Sequence, residues 1–425
     1  MRRLPGQEEK TMRLLPVTLW TVSVLAAAAV PAAEADKKAV AELAADPVVG
    51  KILDSLGAGA SAELSAARTA GDLNEVARRY NLHKKGPGGR NYCVEMVWMA
   101  DRRRAIYCGA NHGSPHRLND CWEYDLPSNT WVMLFAPDPN KPGGAAFDPW
   151  VKKIAVVKDD VLMTQRDAPL DPWHTWWQLA YVPEMKALIW ANPPGCDGEA
   201  NKVLGTDPAK LYKGPPFWLF YPEERKWKPL KTEAPYPPKV GGAQAMEYIP
   251  ELKGAVFYSS NWFSQGMWLY DPRTNAWKNL KPNGGEDMYH GKNSARAEAV
   301  MAYDSDSRVL VAQIGKATYH YDVATNAWSK ALDEPKDSDK VPEGNDHTSP
   351  FGYDPVAKVC LLHTGATPEV AWAYSVKDKQ WEKVRVNGPA GPKGRNIGYF
   401  DPGRNVMVIN DRTTVWVYRH KKAAQ

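Results

Sequence analysis

Two short phrases recur down this chain of 425 residues, and their spacing limits what it can fold into. The first phrase is an aromatic or apolar residue, then Asp or a stand-in, then a tight turn ending in Lys or Arg. It runs Ala100-Asp101 to Arg104, Phe147-Asp148-Pro149 to Lys152, Tyr181-Val182-Pro183 to Lys186 and Tyr248-Ile249-Pro250 to Lys253. It continues as Tyr303-Asp304 to Arg308, Tyr353-Asp354-Pro355 to Lys358 and Phe400-Asp401-Pro402 to Arg404, seven copies in all. The second phrase places Trp six residues after Asp: Asp125 to Trp131, Asp271 to Trp277 and Asp322 to Trp328. Variants of similar shape are Asp167 to Trp173, Ser375 to Trp381 and the shorter Tyr221-Pro222 to Trp227. A period of about 42–55 residues with two turn signals per unit implies a closed ring of small sheets, a β-propeller.

The unit from Gly242 to Leu280 reads strand, turn, strand, loop, strand, turn, strand. Pro presets the turn dihedral, and Asp and Asn suit turn corners. The runs Ala255–Tyr258 and Met267–Tyr270 are short and rich in β-formers. One such sheet cannot bury both faces; stacking it on copies of itself can. The recurrent Trp is read as core, wedged between neighbouring sheets, rather than as a sugar-stacking ring. The last unit has three strands, Asn396–Asp401, Asn405–Ile409 and Thr414–Tyr418, and then a basic tail. Its missing outer strand is expected from the N-terminal side, at Arg79–His83.

The form Trp-x-Tyr-Asp-x-x-x-Asn-x-Trp at Trp268 to Trp277, and again at Trp122 to Trp131, resembles the kelch-repeat and galactose-oxidase-type propellers. The resemblance covers roughly residues 90–420 and implies an all-β, seven-bladed, kelch-like propeller. The chain departs from the family at the Gly-Gly pair that usually follows the second strand. Those places read Gly109-Ala110, Lys158-Asp159, Ala191-Asn192, Ser259-Ser260 and Gln313-Ile314. A fold of this kind hosts many functions, so function must be argued from the site.

Three segments follow from composition. Residues 1–35 read as a secretory signal peptide: Arg13 opens an apolar run to Val30, and small residues Ala32, Ala33 and Ala35 follow. Translation starts at Met1 or Met12. Residues 36–89 read as a short helical prologue and linker, with Val48, Val49, Ile52, Leu53 and Leu56 at helical spacing. Residues 90–425 are the propeller. No membrane span remains after cleavage of the signal, which points to a secreted or periplasmic protein. The formal charge of +5 is mild and spread out, so no nucleic-acid partner is indicated. Cys108 and Cys121 lie in consecutive strands, equidistant from the intervening loop, and are expected to face each other as a disulfide. Cys360 reads as a small buried hydrophobe.

Strand order gathers the long loops on one face, opposite the short turns of the two phrases. Residues five to seven before each first turn should ring the channel there: His174, Arg296, His347 and Arg395. Nearby loops add His112, His116, Arg117, Tyr289 and His290. Such a cationic, His-bearing funnel suits an anionic or hydroxyl-rich ligand. His112-x3-His116 lies in a Gly/Pro loop, where that spacing does not bring two rings together, so no metal and no cofactor are assigned. The family resemblance also implies what an oxidase would need: copper, an adjacent Tyr-His pair and a Tyr crosslinked to Cys. Tyr289-His290 is such a pair, but it lies upstream of the expected strand, and no Cys-Tyr partner is evident. The sequence thus favours a binding module for a protein or glycan over an enzyme. The alternatives are a copper oxidase or sugar-epimerase-like enzyme in the same funnel, or a structural part of an envelope assembly.

Overall fold

The tight turns of both phrases close on a residue in the left-handed region. Lys186, Lys253, Arg308 and Lys358 end the first turn of their units at φ 50° to 58°, and Asn129, Asn275 and Asn326 end the second at 48° to 51°. Asp side chains brace the first turn: Asp354 Oδ1 accepts from the amides of Val356 and Ala357. In the second phrase the Asn side chain does two jobs. Its amide oxygen accepts from the Tyr hydroxyl (Tyr270 to Asn275, 2.9 Å), and its amide nitrogen donates to a carbonyl of the preceding segment (Asn275 to Lys231, 3.0 Å).

The computed structural model describes residues 43–88, 90, 93–109, 117–191, 196–238, 240, 244–259, 266–290, 299–335, 337–343, 350–394, 396–411 and 414–422, with backbone alone for 289 and 290. The signal peptide expected over 1–35 lies outside these residues. The described chain forms six blades, each an antiparallel sheet of four strands from the channel outward. Blade 1 is Val97–Met99, Arg104–Cys108, Cys121–Asp125 and Thr130–Phe135. Blade 2 is Leu179–Val182, Ala187–Ala191, Phe217–Tyr221 and Lys226–Leu230. Blade 3 is Gln244–Ile249, Gly254–Ser259, Gly266–Asp271 and Ala276–Asn279. Blade 4 is Ala299–Asp304, Val309–Ile314, Ala317–Asp322 and Ala327–Asp333. Blade 5 is Phe351–Asp354, Val359–His363, Val370–Ser375 and Gln380–Arg385. Blade 6 is Ile397–Asp401, Val406–Asp411 and Thr414–Arg419, completed by Ala60–Leu64. The innermost strands touch in sequence around the ring and close it.

The repeated Trp is core. Trp131, Trp227, Trp277, Trp328 and Trp381 are at most 4% exposed. Each stands in register opposite an aromatic residue of the third strand, as Trp277 does opposite Tyr270. Ring centroids in these pairs are 4.8 to 5.3 Å apart. Wedges of this size bury roughly 150–250 Å² each.

Six blades replace the expected seven because one copy of each phrase is not a blade. Phe147–Ile154 is a helix. Pro149 and Asp148 suit a first helical turn, and Lys152 and Lys153 suit the last, against the helix dipole. A two-stranded hairpin follows, Ala155–Lys158 with Val161–Thr164. The Asp167–Trp173 variant lies in the connection that leads into blade 2, not in an outer hairpin. This insert packs on the helix Asp197–Leu204 through Val151, Ala155, Leu162, Leu170, Cys196 and Ala200, a small core of its own.

The segment expected as a helical prologue contains the helix Pro47–Ser55, but it also supplies two strands. Ala60–Leu64 pairs antiparallel with Thr414–Arg419 and closes blade 6. Arg68–Gly71 pairs parallel with Thr130–Phe135 and adds a fifth strand to blade 1. The N-terminal side thus closes the ring as expected, but with a different strand. Arg79–His83, the expected latch, spans the end of one short helix (Glu75–Arg79) and the start of another (Leu82–Lys85). Asn74 caps the first with its side chain on the Ala77 amide, and capping residues compete with strand formation.

Candidate functional site

The first turns and the N-terminal ends of the third strands define opposite faces. On the long-loop face, the root of the loop between the second and third strands of blade 1 is fixed by a buried ion pair. Arg90, 1% exposed, grips both oxygens of Asp120 at 3.0 and 2.7 Å. It also donates to the Gly109 carbonyl, and Asp120 accepts from the Trp122 indole at 2.6 Å. Planar, bidentate pairing makes Arg the suited partner here.

Of the nine residues expected in the funnel, His112, His116, Arg296, His347 and Arg395 lie outside the described residues. Tyr289 and His290 end the short helix Glu286–His290. The other two, Arg117 and His174, come together. Arg117 pairs with Asp171 at 2.6 Å, donates to the Pro172 carbonyl at 3.3 Å and lies 5.0 Å from the Trp173 ring centroid. His174 packs edge-on to Trp173 at 5.6 Å and to Trp176 at 4.7 Å. His174 is 4% exposed, whereas Trp173 is 36% exposed and open to solvent.

The backbone beneath this cluster is held in costly conformations. Asp171 and Trp176 both have positive φ, 45° and 47°. For a bulky side chain such as Trp that is strained, and strain concentrates where geometry matters. Burial pushes the Asp171 carboxyl up, against the pull of Arg117. Asp197 is pushed up to about 7 by burial and by its neighbour Asp171.

Trp173 was read from sequence as one of the core wedges, and it is instead the exposed ring of this cluster. Asp171 was missed. The signal was present: Trp173 is followed by His174 and Trp176, a polar-aromatic mix unlike the clean strand runs beside the other Trp residues.

Cys108 and Cys121 stand opposite each other in register, both fully buried, as free thiols. Among the described residues no group of three or more His, Cys, Asp or Glu is placed to hold a metal ion. Among those residues no helix is long and apolar enough to cross a membrane.

A second polar feature lies in the channel, toward the short-turn face. Glu95 and Glu247 line a cavity of about 240 Å³ with Trp177, which precedes the innermost strand of blade 2, and with residues of the innermost strands of the other five blades. The signal for these two was a carboxylate inside an apolar run, as in Val94-Glu95-Met96 and Met246-Glu247-Tyr248.

No protein-family model matches this chain, and no curated protein matches it. Among solved structures it is similar to an auxiliary nutrient binding protein from Bacteroides thetaiotaomicron. That match has 10% identity and a TM-score of 0.44, covering 77% of this chain and 69% of that one. It is also similar to TolB from Acinetobacter baumannii, at 11% identity and a TM-score of 0.39, covering 72% of this chain and 56% of that one. The propeller assignment rests on the strand pairing itself.

Proposed function

We propose that this propeller is an exported binding module that holds a protein or glycan on its long-loop face. The observation that carries the reading is the exposed Trp173 ring, backed by Arg117 and flanked by His174. An exposed Trp pinned by packed neighbours loses little entropy on binding, and Trp and Arg dominate the energetics of recognition surfaces. His112, His116, Tyr289, His290, Arg296, His347 and Arg395 are proposed as further contacts on this face. The kelch-type phrasing at Trp122–Trp131 and Trp268–Trp277 supports a place near the kelch and galactose-oxidase-type propellers. The leader at 1–35 supports export to the periplasm or beyond.

A glycan array and a panel of purified envelope proteins, each probed with wild type and Trp173→Ala, test this. The expected result is at least one ligand whose binding falls about tenfold or more in the variant. Equal binding by both proteins would remove the site.

The same export supports a disulfide between Cys108 and Cys121. The two residues stand opposite each other in register, and burial pushes both thiols up. Non-reducing peptide mapping should recover the linked pair; recovery of both as free thiols would end the idea.

A further inference from the structure

The insert between blades 1 and 2 leaves a cavity of about 160 Å³ where it meets the rim of blade 2. The walls are the hairpin turn at 160–162, the start of the helix Asp197–Leu204, the loop 211–216 and the outer two strands of blade 2. Hydrogen bonds pin these walls to one another. The Tyr212 amide donates to the Asp160 carbonyl at 2.8 Å. The Tyr212 hydroxyl donates to the Thr232 carbonyl at 3.1 Å and accepts from the Thr232 amide at 3.0 Å. Lys231 reaches the hairpin turn from blade 2, donating to the Asp159 carbonyl at 2.8 Å and to Asp160 Oδ2 at 3.3 Å.

The lining is mostly aliphatic, proline and aromatic, with four polar side chains: Asp160, Tyr212, Asp197 and Trp218. Asp160 and Tyr212 are engaged by Lys231 and Thr232. The other two are not. Among the described residues the Asp197 carboxyl group has neither a hydrogen bond nor an ion pair, and the Trp218 indole nitrogen has no acceptor. The neighbouring Asp171 is taken by Arg117. Trp218 is 4% exposed. The indole nitrogens of Trp177, Trp227, Trp268 and Trp328 are sealed in protein, whereas that of Trp218 reaches open surface. A donor and an acceptor left unmade in apolar surroundings are each costly. An apolar cavity with a few convergent polar groups is the usual form of a small-molecule site.

We propose that this cavity is a binding site for a small aromatic alcohol, a single six-membered ring carrying a hydroxyl group. The ring suits the space: an apolar cavity of about 150 Å³ is enough to take up benzene. A rigid ring also loses no rotamer freedom on binding. The hydroxyl group serves both unpaired side chains, because its oxygen accepts from the Trp218 N–H and its proton is donated to Asp197. An amine would supply Asp197 with a donor and leave Trp218 without an acceptor. A carboxylate would meet Asp160 and Asp197 and is repelled.

This site gives the insert a role that the ring does not. The six blades close without the helix Phe147–Ile154 and its hairpin. The insert's own core ties it to the helix Asp197–Leu204, and that contact holds the hairpin turn over blade 2 as one wall of the cavity. The proposal does not depend on ligand binding at Trp173 and stands or falls separately from it.

The test is titration calorimetry of the full chain with phenol, toluene and benzoate. At pH 8 Asp197, pushed up to about 7 by burial and by Asp171, is ionised and ready to accept. Phenol should bind one to one with a Kd at or below about 1 mM. Toluene, which has the ring and neither hydrogen bond, should bind at least about tenfold more weakly, and benzoate should not bind. Trp218→Phe, which removes the N–H and keeps an aromatic ring, should shrink the preference for phenol over toluene at least about threefold. Leu211→Phe, a half-buried wall residue, should fill the cavity and abolish phenol binding in a protein that melts like wild type, and it decides the matter if Trp218→Phe does not fold. Trp173→Ala should leave phenol binding unchanged. Absence of phenol binding, toluene or benzoate binding as tight as phenol, or unchanged phenol binding by Leu211→Phe would each overturn the proposal.

Discussion

Four of the six blade junctions are fastened by one repeated device, and the junction where the chain ends meet is fastened by another. At the four, the Tyr of the first phrase donates to an acid in the equivalent turn of the preceding blade. Tyr181 reaches Asp101 at 2.9 Å, Tyr248 reaches Glu184 at 2.7 Å, Tyr303 reaches Glu251, and Tyr353 reaches Asp306 at 2.5 Å. Aligned on the left-handed turn residue, the same two positions between blades 5 and 6 are Phe400 and Val356, both apolar. Between blades 6 and 1 they are Trp98 and Gly403, and Trp98 stacks on Tyr399 at 5.9 Å. Donor and acceptor are thus kept together or lost together.

The closing junction is held from outside instead. Ala60–Leu64 on blade 6 and Arg68–Gly71 on blade 1 form a strap across it. Arg419 anchors the strap by donating to the carbonyls of Leu53 and Leu56 at 2.8 and 2.6 Å. Ser61 bonds the carbonyls of Asn387 and Pro389 at 3.0 and 2.7 Å. Local hydrogen bonds suffice where the chain is continuous, and backbone pairing is used where it is not.

Breaking the strap should have the largest effect. A chain starting at Asn74 exposes the edge of blade 6 and the apolar face that covers Val49, Leu53 and Leu64. It should aggregate or lose its single cooperative transition, read by calorimetry and size exclusion. Removing one wedge is next. Trp277→Ala should cost about 3–5 kcal/mol in denaturant unfolding, because Phe217 and Tyr270 lose the ring they pack on.

The channel comes third, through pH. Folded Glu247 keeps its proton to about pH 8, whereas the unfolded group releases it near its ordinary value of 4.5. Its contribution to stability is therefore present in full below pH 4.5 and lost as pH rises through about 8. Glu247→Gln should gain about 2–3 kcal/mol on wild type between pH 5 and pH 8 in paired urea melts. Glu247 is half-buried, and parallel pH profiles would contradict the shielding of its carboxyl group from water.

The smallest effects sharpen the junction comparison. Tyr303→Phe should cost about 1 kcal/mol, the worth of one hydrogen bond to a charged acceptor at a partly exposed site. Installing the lock where it is missing, with Val356→Glu and Phe400→Tyr together, should show a favourable coupling of about 0.5–1 kcal/mol that neither single change gives.

The fold was legible where side-chain period and turn chemistry agree. Tyr270-Asp271 to Asn275 and Trp277 names a turn and its packing partner at once. It was misread where one phrase has two uses. Phe147-Asp148-Pro149 suits a turn or a helix start, and only the absence of a β-rich run on both sides separates them. Ala60–Leu64 carries no strand signal, because its pairing energy comes from the edge it meets rather than from its own residues. Arg117 and His174 were assigned to one face from strand order, and the structure brings both against Trp173. Glu95, Trp177 and Glu247 were not, because their convergence depends on which blades are neighbours.

The central claim is a six-bladed ring closed by the N-terminal strand in a stated register. It pairs Ala62 with Val417. The most direct measurement is peptide mapping, without reduction, of the Ala62→Cys, Val417→Cys double variant. A crosslinked peptide joining positions 62 and 417 is the expected result. Recovery of the two new thiols uncrosslinked after mild oxidation, in a protein that melts like wild type, would contradict it.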